Sequence, residues 1–219
     1  MNLRKDGEQT RAKILQSACR VFGEKGYRNG TNAEICERAD VNIAAINYHF
    51  GSKDALYRAV CRHALDMVEK TYPVDGETKP GVSSAEDRLR AFIKAFVQRR
   101  SDRERFGYFH RIRMMEMFNS TGLVDDIWEQ WLEFQHGKLV DILNILLGPD
   151  VPQSVSAYCE MSVVSQCLFS VPPPHTNEKH AGFPWMKRDG GSEEIVEHIL
   201  KFSLAGIEAA RRNAQDQPQ

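Results

Sequence analysis

TNAEICERADVNIAAINYHFGSK, residues Thr31 to Lys53, reads as two short helices joined by a tight turn. Thr31 and Glu34 stand at capping-box spacing, so the threonine hydroxyl accepts from an orphan amide while the glutamate reaches back. Ala33, Ile35, Cys36 and Ala39 recur at helical intervals and give the first helix an apolar side. Asp40, Val41 and Asn42 supply the turn: the polar pair bonds locally to backbone and Val41 points inward. The second helix spans about Ile43 to His49, with Ile46 and Phe50 the residues obliged to be buried. The rest of its surface, Asn42, Ala44, Ala45, Asn47, Tyr48 and His49, is small or hydrogen-bonding. A helix that is small where it must come close, with amides and a phenol where it must grip, suits the DNA major groove.

Upstream, Thr10 to about Lys25 carries the stripe Ile14, Leu15, Ala18, Val21 and Phe22 and reads as a bracing helix stopped by Gly26. Three helices are about the minimum that buries the apolar face of such a unit. Residues 1–9 read as a mobile arm, in which Arg4 and Lys5 serve either as phosphate or minor-groove contacts or as a solvated tail. Arg28, just before the capping threonine, is equally a phosphate contact or a surface arginine. Downstream, a fourth helix begins at Gly51 or Ser52 and runs to about Tyr72. Its N-terminal amides and dipole form a natural phosphate site, with Lys53 adding positive charge.

Charge is distributed unevenly. Residues 1–63 hold 11 Lys and Arg against 7 Asp and Glu, a net of +4, whereas residues 64–219 hold 18 against 23, a net of −5. A basic front on an acidic body fits a phosphate-binding head carried by a domain with another task. The five cysteines make no C-x-x-C pair and mostly sit in apolar helical patterns, as buried free thiols do in a reducing compartment. No apolar run approaches the roughly 18 residues of a membrane span, and the N-terminal MNLRKDGEQTR lacks the apolar core of a signal peptide. A soluble, cytoplasmic protein without membrane contact is expected.

The body reads as all-helical. Pro73 to Ser84 is a linker of Pro, Gly and Ser. Helices follow at Ala85–Arg100, about Arg103–Asn119, Leu123 to about Leu147, Pro152 to about Val171, and Ser192 (as N-cap) to about Arg211. The second of these mixes arginines with Phe109, His110, Met114 and other aromatic and Met residues, which line an adaptable apolar pocket or simply form core. Trp131, Phe134 and Gln166 are the other candidates for ligand contact. Pro172 to Gly191 is a long loop, and its His175 and His180 have no recognised metal spacing. No metal or cofactor is expected.

The run Ala39-Asp40-Val41-Asn42, followed by Asn47-Tyr48-His49-Phe50-Gly51-Ser52-Lys53-Asp54-Ala55-Leu56, resembles the TetR family of bacterial transcription regulators over about residues 8–60. Asp40 departs from the glycine that the family often has. The resemblance implies phosphate contacts from Thr31, Tyr48, His49 and Lys53, and base-edge contacts from Asn42, Ala44, Ala45 and Asn47. Val164 to Phe169 and His198 to Gly206 resemble the CecR-like branch of that family. This implies a body whose last two helices pair with their copies in a homodimer, an inverted-repeat operator on double-stranded DNA, and release by a small amphipathic or drug-like effector.

The expected organisation is a DNA-binding head over residues 1–60, an effector-binding and dimerisation body over 61–213 and a disordered tail over 214–219. No nucleophile–base constellation, H-E-x-x-H or Gly-rich phosphate loop points to an enzyme. A DNA-binding architectural protein without effector is the principal rival. A redox sensor is a third reading, but Cys159 and Cys167 stand about 12 Å apart along one helix, too far for an unaided disulfide.

Overall fold

The computed structural model describes residues 2–170 and 191–216, with side chains from residue 6 onward. Its regular elements are helices: α1 (Asn2–Asn29), α2 (Asn32–Ala39), α3 (Ala44–Phe50), α4 (Lys53–Thr71), α5 (Ala85–Ser101), α6 (Arg103–Phe118), α7 (Asp125–Leu147), α8 (Gln153–Phe169) and α9 (Ser192–Gln215). No helix is long and apolar enough to cross a membrane among the described residues. Residues 171–190, which include most of the Pro-rich stretch with His175 and His180, lie outside the described residues, as do 217–219 of the tail. Two compact units divide the chain, Met1–Val68 with Arg103–Gln130, and Glu69–Asp102 with Trp131–Gln219.

In the first unit α1 packs against α2, α3 and α6. Its predicted stripe, Ile14, Leu15, Ala18, Val21 and Phe22, is buried throughout. Helix α1 begins well before Thr10: residues 2–9, expected as an arm, are helical, and the Thr10 hydroxyl donates to the Asp6 carbonyl one turn back at 2.8 Å. Gly26 breaks the helix as expected, with φ 74° and ψ 171°, but Tyr27–Asn29 resume helical geometry beyond the kink.

Helix α6 lies so close to α1 that a Cβ on Gly23 would fall 2.7 Å from the Tyr108 Cβ and 2.9 Å from its Cα. Gly23→Ala gains at most about 1 kcal/mol of helix propensity. It forces an overpacking cost of about 1–3 kcal/mol because backbone itself stands in the way. Net destabilisation of about 1–2 kcal/mol is expected, read as a lowered urea midpoint at unchanged slope.

A buried polar bond ties α4 to α6. The Tyr57 hydroxyl donates to Glu116 at 2.6 Å, and the other Glu116 oxygen accepts from the Thr121 amide at 3.0 Å. Tyr57 and Glu116 are both buried, so each supplies the partner that the other needs. Arg58 adds a bidentate pair with Asp126, at 2.8 and 2.6 Å.

The second unit is built on Leu89, Phe92, Ile93 and Val97 of α5, Leu139, Ile142 and Leu143 of α7, Val163 and Cys167 of α8, and Ile199 and Leu200 of α9. Helix α5 packs on α8 and α9, and the pairs Arg90–Glu197 and Lys94–Glu193 bridge α5 to α9. The linker after α4 is not free of the core: Val74 is buried in it and Asp75 pairs with Lys138 at 2.7 Å. Ser192 is the first helical residue of α9, and the N-cap position falls to Gly191 with no side-chain cap. The serine cap expected there is therefore absent, and Glu193 and Glu194 in the first turn are what complement the dipole. The last helix continues to Gln215, four residues past Arg211.

All five cysteines are free thiols, four of them buried. Burial pushes the Cys19 thiol up to about 11 and the Cys167 thiol up to about 12, so both stay protonated and unreactive at neutral pH.

Candidate nucleic-acid interface

The turn between α2 and α3 depends on one backbone position. Asp40 has φ 54° and ψ 54°, the one positive-φ residue other than glycine among the described residues. Its amide donates to the Glu37 carbonyl at 3.2 Å, and the Val41 amide to Cys36 at 3.0 Å. These two bonds make a Schellman motif with Val41, half-buried, as its apolar residue. Aspartate is among the few residues that enter this conformation cheaply, so the departure from glycine leaves the turn intact.

Asn42 opens the second helix by accepting from the Ala44 amide through Oδ1 at 2.9 Å. That bond leaves its Nδ2 amide as the group able to reach a partner. Ile46 anchors α3 from below, fully buried. Arg11 lies over the ring of half-buried Phe50, 5.0 Å from its centroid. Ala44 and Asn47 are exposed, Ala45 and His49 half-buried, and Tyr48 is 85% exposed, its ring edge-on to His49 at 4.9 Å. A phenol that open to water has no packing role and is available to a partner.

Thr31 caps α2 as expected, accepting from the Glu34 amide at 3.2 Å. The reciprocal half of the box is replaced. The Glu34 carboxylate goes instead to Lys25 and Arg38, each at 2.7 Å, and Arg38 also reaches Glu24 at 2.8 Å. Charge-assisted bonds to two cations outcompete one bond to a neutral amide. The Arg38 and Lys25 cations hold the Glu24 and Glu34 carboxyls, respectively, below the usual range. This cluster joins α1 to α2 at neutral pH and loses its contribution as pH falls through the carboxylate range.

Ser52 caps α4, accepting from the Ala55 amide at 3.0 Å. Lys53, in the first turn, sits with Nζ 4.6 Å from the centroid of the Tyr27 ring. The Tyr27 hydroxyl donates to Asp54 at 2.5 Å, and that bond, with burial, pushes its phenol up to about 12. The kinked end of α1 thus holds the start of α4 through Asp54 and places its Tyr27 ring under the Lys53 ammonium. Sequence reasoning missed Tyr27; its only cue is a large aromatic directly after a helix-breaking glycine.

Together Asn42, Ala44, Ala45, Asn47, Tyr48 and His49 occupy α3 and its start, with Thr31 and Lys53 at the N-termini of the helices on either side. Two helix N-termini carrying unpaired amides, beside an exposed helix of small and amide residues, can hold phosphates and present groups to base edges.

The six candidates for ligand contact are divided between the two units. Phe109, His110 and Met114 belong to the first unit, where Phe109 and His110 are buried. Trp131, Phe134 and Gln166 belong to the second. There the Trp131 indole donates to Glu69 at 2.8 Å, Phe134 is 47% exposed, and Gln166 donates to Ser203 at 3.2 Å.

The model for bacterial regulatory proteins of the tetR family matches residues 14–60, and the model for the C-terminal domain of the HTH-type transcriptional dual regulator CecR matches residues 85–207. The chain is 34% identical over 93 residues to the HTH-type transcriptional dual regulator CecR of Shigella flexneri, 42% of this chain and 41% of that one. It is 35% identical over 69 residues to the HTH-type transcriptional regulator TtgR of Pseudomonas putida, 32% of this chain and 31% of that one. Each match spans less than half the length of its relative. Among solved structures, the TetR family transcriptional regulator PfmR of Thermus thermophilus shares the fold at a TM-score of 0.58 and 21% identity, over 88% of this chain and 97% of that one. A TetR-like transcriptional regulator of Rhodococcus does so at a TM-score of 0.61 and 15% identity, over 91% and 96%. With a helix-turn-helix match at its front and a CecR-type match across more than half of its length, the chain belongs to the TetR family of transcriptional regulators, in the branch with a CecR-type C-terminal domain.

Proposed function

We propose that the chain is a sequence-specific DNA-binding transcriptional regulator, a homodimeric repressor released from an inverted-repeat operator by a small amphipathic or drug-like ligand. The observation that carries the reading is the outward face of α3. It presents Tyr48 at 85% exposure beside exposed Asn47 and Ala44, on a helix anchored by buried Ile46. Thr31, Tyr48, His49 and Lys53 contact phosphate. Asn42, Ala44, Ala45 and Asn47 face base edges, with the Asn42 amide donating while its oxygen stays in the cap. The head is residues 1–60 and the body 61–213.

Dimerisation is supported by α8 and α9. Tyr158, Met161, Phe169 and Phe202 are all more than half exposed. Tyr158 and Phe202 line a groove of about 300 Å³ that includes Gly206, where nothing stands within 4 Å of an added Cβ. Four large apolar side chains in water are costly for a lone chain and fit a second copy. Two-fold symmetry then sets two reading helices about 34 Å apart, one DNA turn, or a multiple of it. Release requires that the ligand bind the non-DNA conformation better, since equal affinity shifts nothing.

A second reading, an architectural DNA-binding protein without effector, draws support from the second unit. The candidate Trp131 is spent on Glu69 at 2.8 Å, and its neighbour Gln135 bonds the same carboxylate at 2.7 Å.

Analytical ultracentrifugation tests the assembly, alone and with random duplexes of about 30 base pairs, three DNA turns. A dimer that carries DNA as a two-chain complex is expected. A monomer that leaves the DNA peak unmoved contradicts the proposal.

A further inference from the structure

The first turn of α4 sets two opposite charges side by side at the place offered to a phosphate. Lys53 and Asp54 are adjacent in the chain, and neither forms an ion pair among the described residues. Neighbours one position apart do not face each other on a helix. An aspartate here is a rival of the phosphate. A carboxylate in the first turn complements the helix dipole and takes the free amides that an incoming anion needs. Left to itself, Asp54, which is exposed, fills the site from within and repels an anion from outside.

Tyr27 acts on both residues. Its hydroxyl donates to Asp54 Oδ1 at 2.5 Å, and its ring lies 4.6 Å from the Lys53 ammonium. The proton stays on the phenol, which that bond and burial push up to about 12. The ring is itself held from behind. It stands 5.0 Å from the Tyr57 ring and 6.3 Å from that of Phe22. Both of those are fully buried, and the Tyr57 hydroxyl is tied to Glu116 at 2.6 Å.

We infer that Tyr27 is a positioning residue for DNA binding: its hydroxyl draws the Asp54 carboxylate out of the phosphate site, and its ring steadies the Lys53 ammonium there. Tyr27 acts through these two side chains and not by touching DNA. The first turn of α4 then presents a cation and free amides, with its carboxylate turned aside. This role rests on the regulator reading above, since it takes the anion at α4 to be a DNA phosphate.

The test titrates the full chain into labelled random-sequence duplexes of about 30 base pairs, because a phosphate contact supports binding to all sequences alike. Tyr27→Phe keeps the ring and frees the carboxylate. It is expected to weaken binding roughly fivefold, about what one charge at a helix end is worth. The slope of log affinity against log salt is expected to fall by about one per chain, the mark of a lost phosphate contact. Asp54→Asn added to Tyr27→Phe is expected to return affinity to within about twofold of the parent, a coupling between the two sites rather than a sum. Asparagine does not remake a bond to a phenyl ring, so a merely structural tyrosine leaves the double variant as weak as the single one. Tyr27→Phe binding as tightly as the parent, or a double variant no better than the single, overturns the positioning role and leaves the regulator reading standing. A parent chain that does not bind the duplex overturns the regulator reading and this role with it.

Discussion

Replacing Arg99 with methionine is expected to destabilise the second unit by about 3 kcal/mol, the low end of the cost of breaking a buried ion pair. Arg99 is 3% exposed. Its guanidinium meets Glu69 at 2.8 Å, the Tyr72 carbonyl at 2.7 and 2.9 Å, and Gln135 Oε1 at 3.1 Å. Methionine fills most of the space, so the loss comes from charge rather than from a cavity. The Glu69 carboxylate keeps the neutral donors Trp131 and Gln135 but loses the guanidinium. Its side chain keeps 26% exposure, which lets water recover part of the deficit.

Burial also lowers the Arg99 pKa despite the nearby carboxylate, so the pair itself is not cheap to hold. Arg99→Met combined with Glu69→Leu is therefore expected to recover part of the loss, the rest being held back by the Trp131 and Gln135 donors that lose their acceptor. Urea midpoints for the single and double variants check this. A single variant within about 0.5 kcal/mol of the parent, in the range of neutral surface changes, contradicts the assignment of Arg99 as a charge held by its network.

Tyr48→Phe is expected to weaken operator binding by roughly 150-fold without changing thermal stability. The phenol is 85% exposed and its ring contact is His49, so the fold does not depend on the hydroxyl. A hydrogen bond to a charged phosphate contributes about 1.5 kcal/mol. Two-fold symmetry doubles it to about 3 kcal/mol, which converts to roughly 150-fold in affinity. Asn47→Ala is expected to behave differently: affinity falls and the preferred base at one position in each half-site relaxes. Fluorescence anisotropy on matched and single-base-changed duplexes separates the two. Unchanged affinity in Tyr48→Phe contradicts the phosphate role.

The elements of the head were legible because their signals are local. Helical spacing identified the buried stripe of α1, and Asp40 was readable as a turn former that survives where glycine is usual. What escaped is what depends on partners distant in the chain. Spacing places the Glu34 carboxylate on its own backbone, but Arg38 competes for it from one turn along the same helix, and Lys25 arrives once α1 packs on α2. Tyr27 gains a role only when Asp54 and Lys53 meet it.

In the body, one periodic stripe concealed two faces. Phe169 and Phe202 are exposed, while Val163, Cys167 and Ile199 on the same helices face the core. Helical periodicity finds apolar residues but does not say whether they cover their own core or a neighbour's surface. Trp131 reads as a ligand group because sequence does not reveal that Glu69, over 60 positions earlier in the chain, already takes its indole N–H.

Selection of bound duplexes from a random DNA pool at moderate salt tests the central claim most directly. An enriched inverted repeat, its half-sites about one helical turn or a multiple apart, with enrichment lost in Lys53→Ala, is the predicted result. A pool left unenriched, with binding that fades evenly as salt rises, is the signature of phosphate attraction alone and contradicts a sequence-reading dimer.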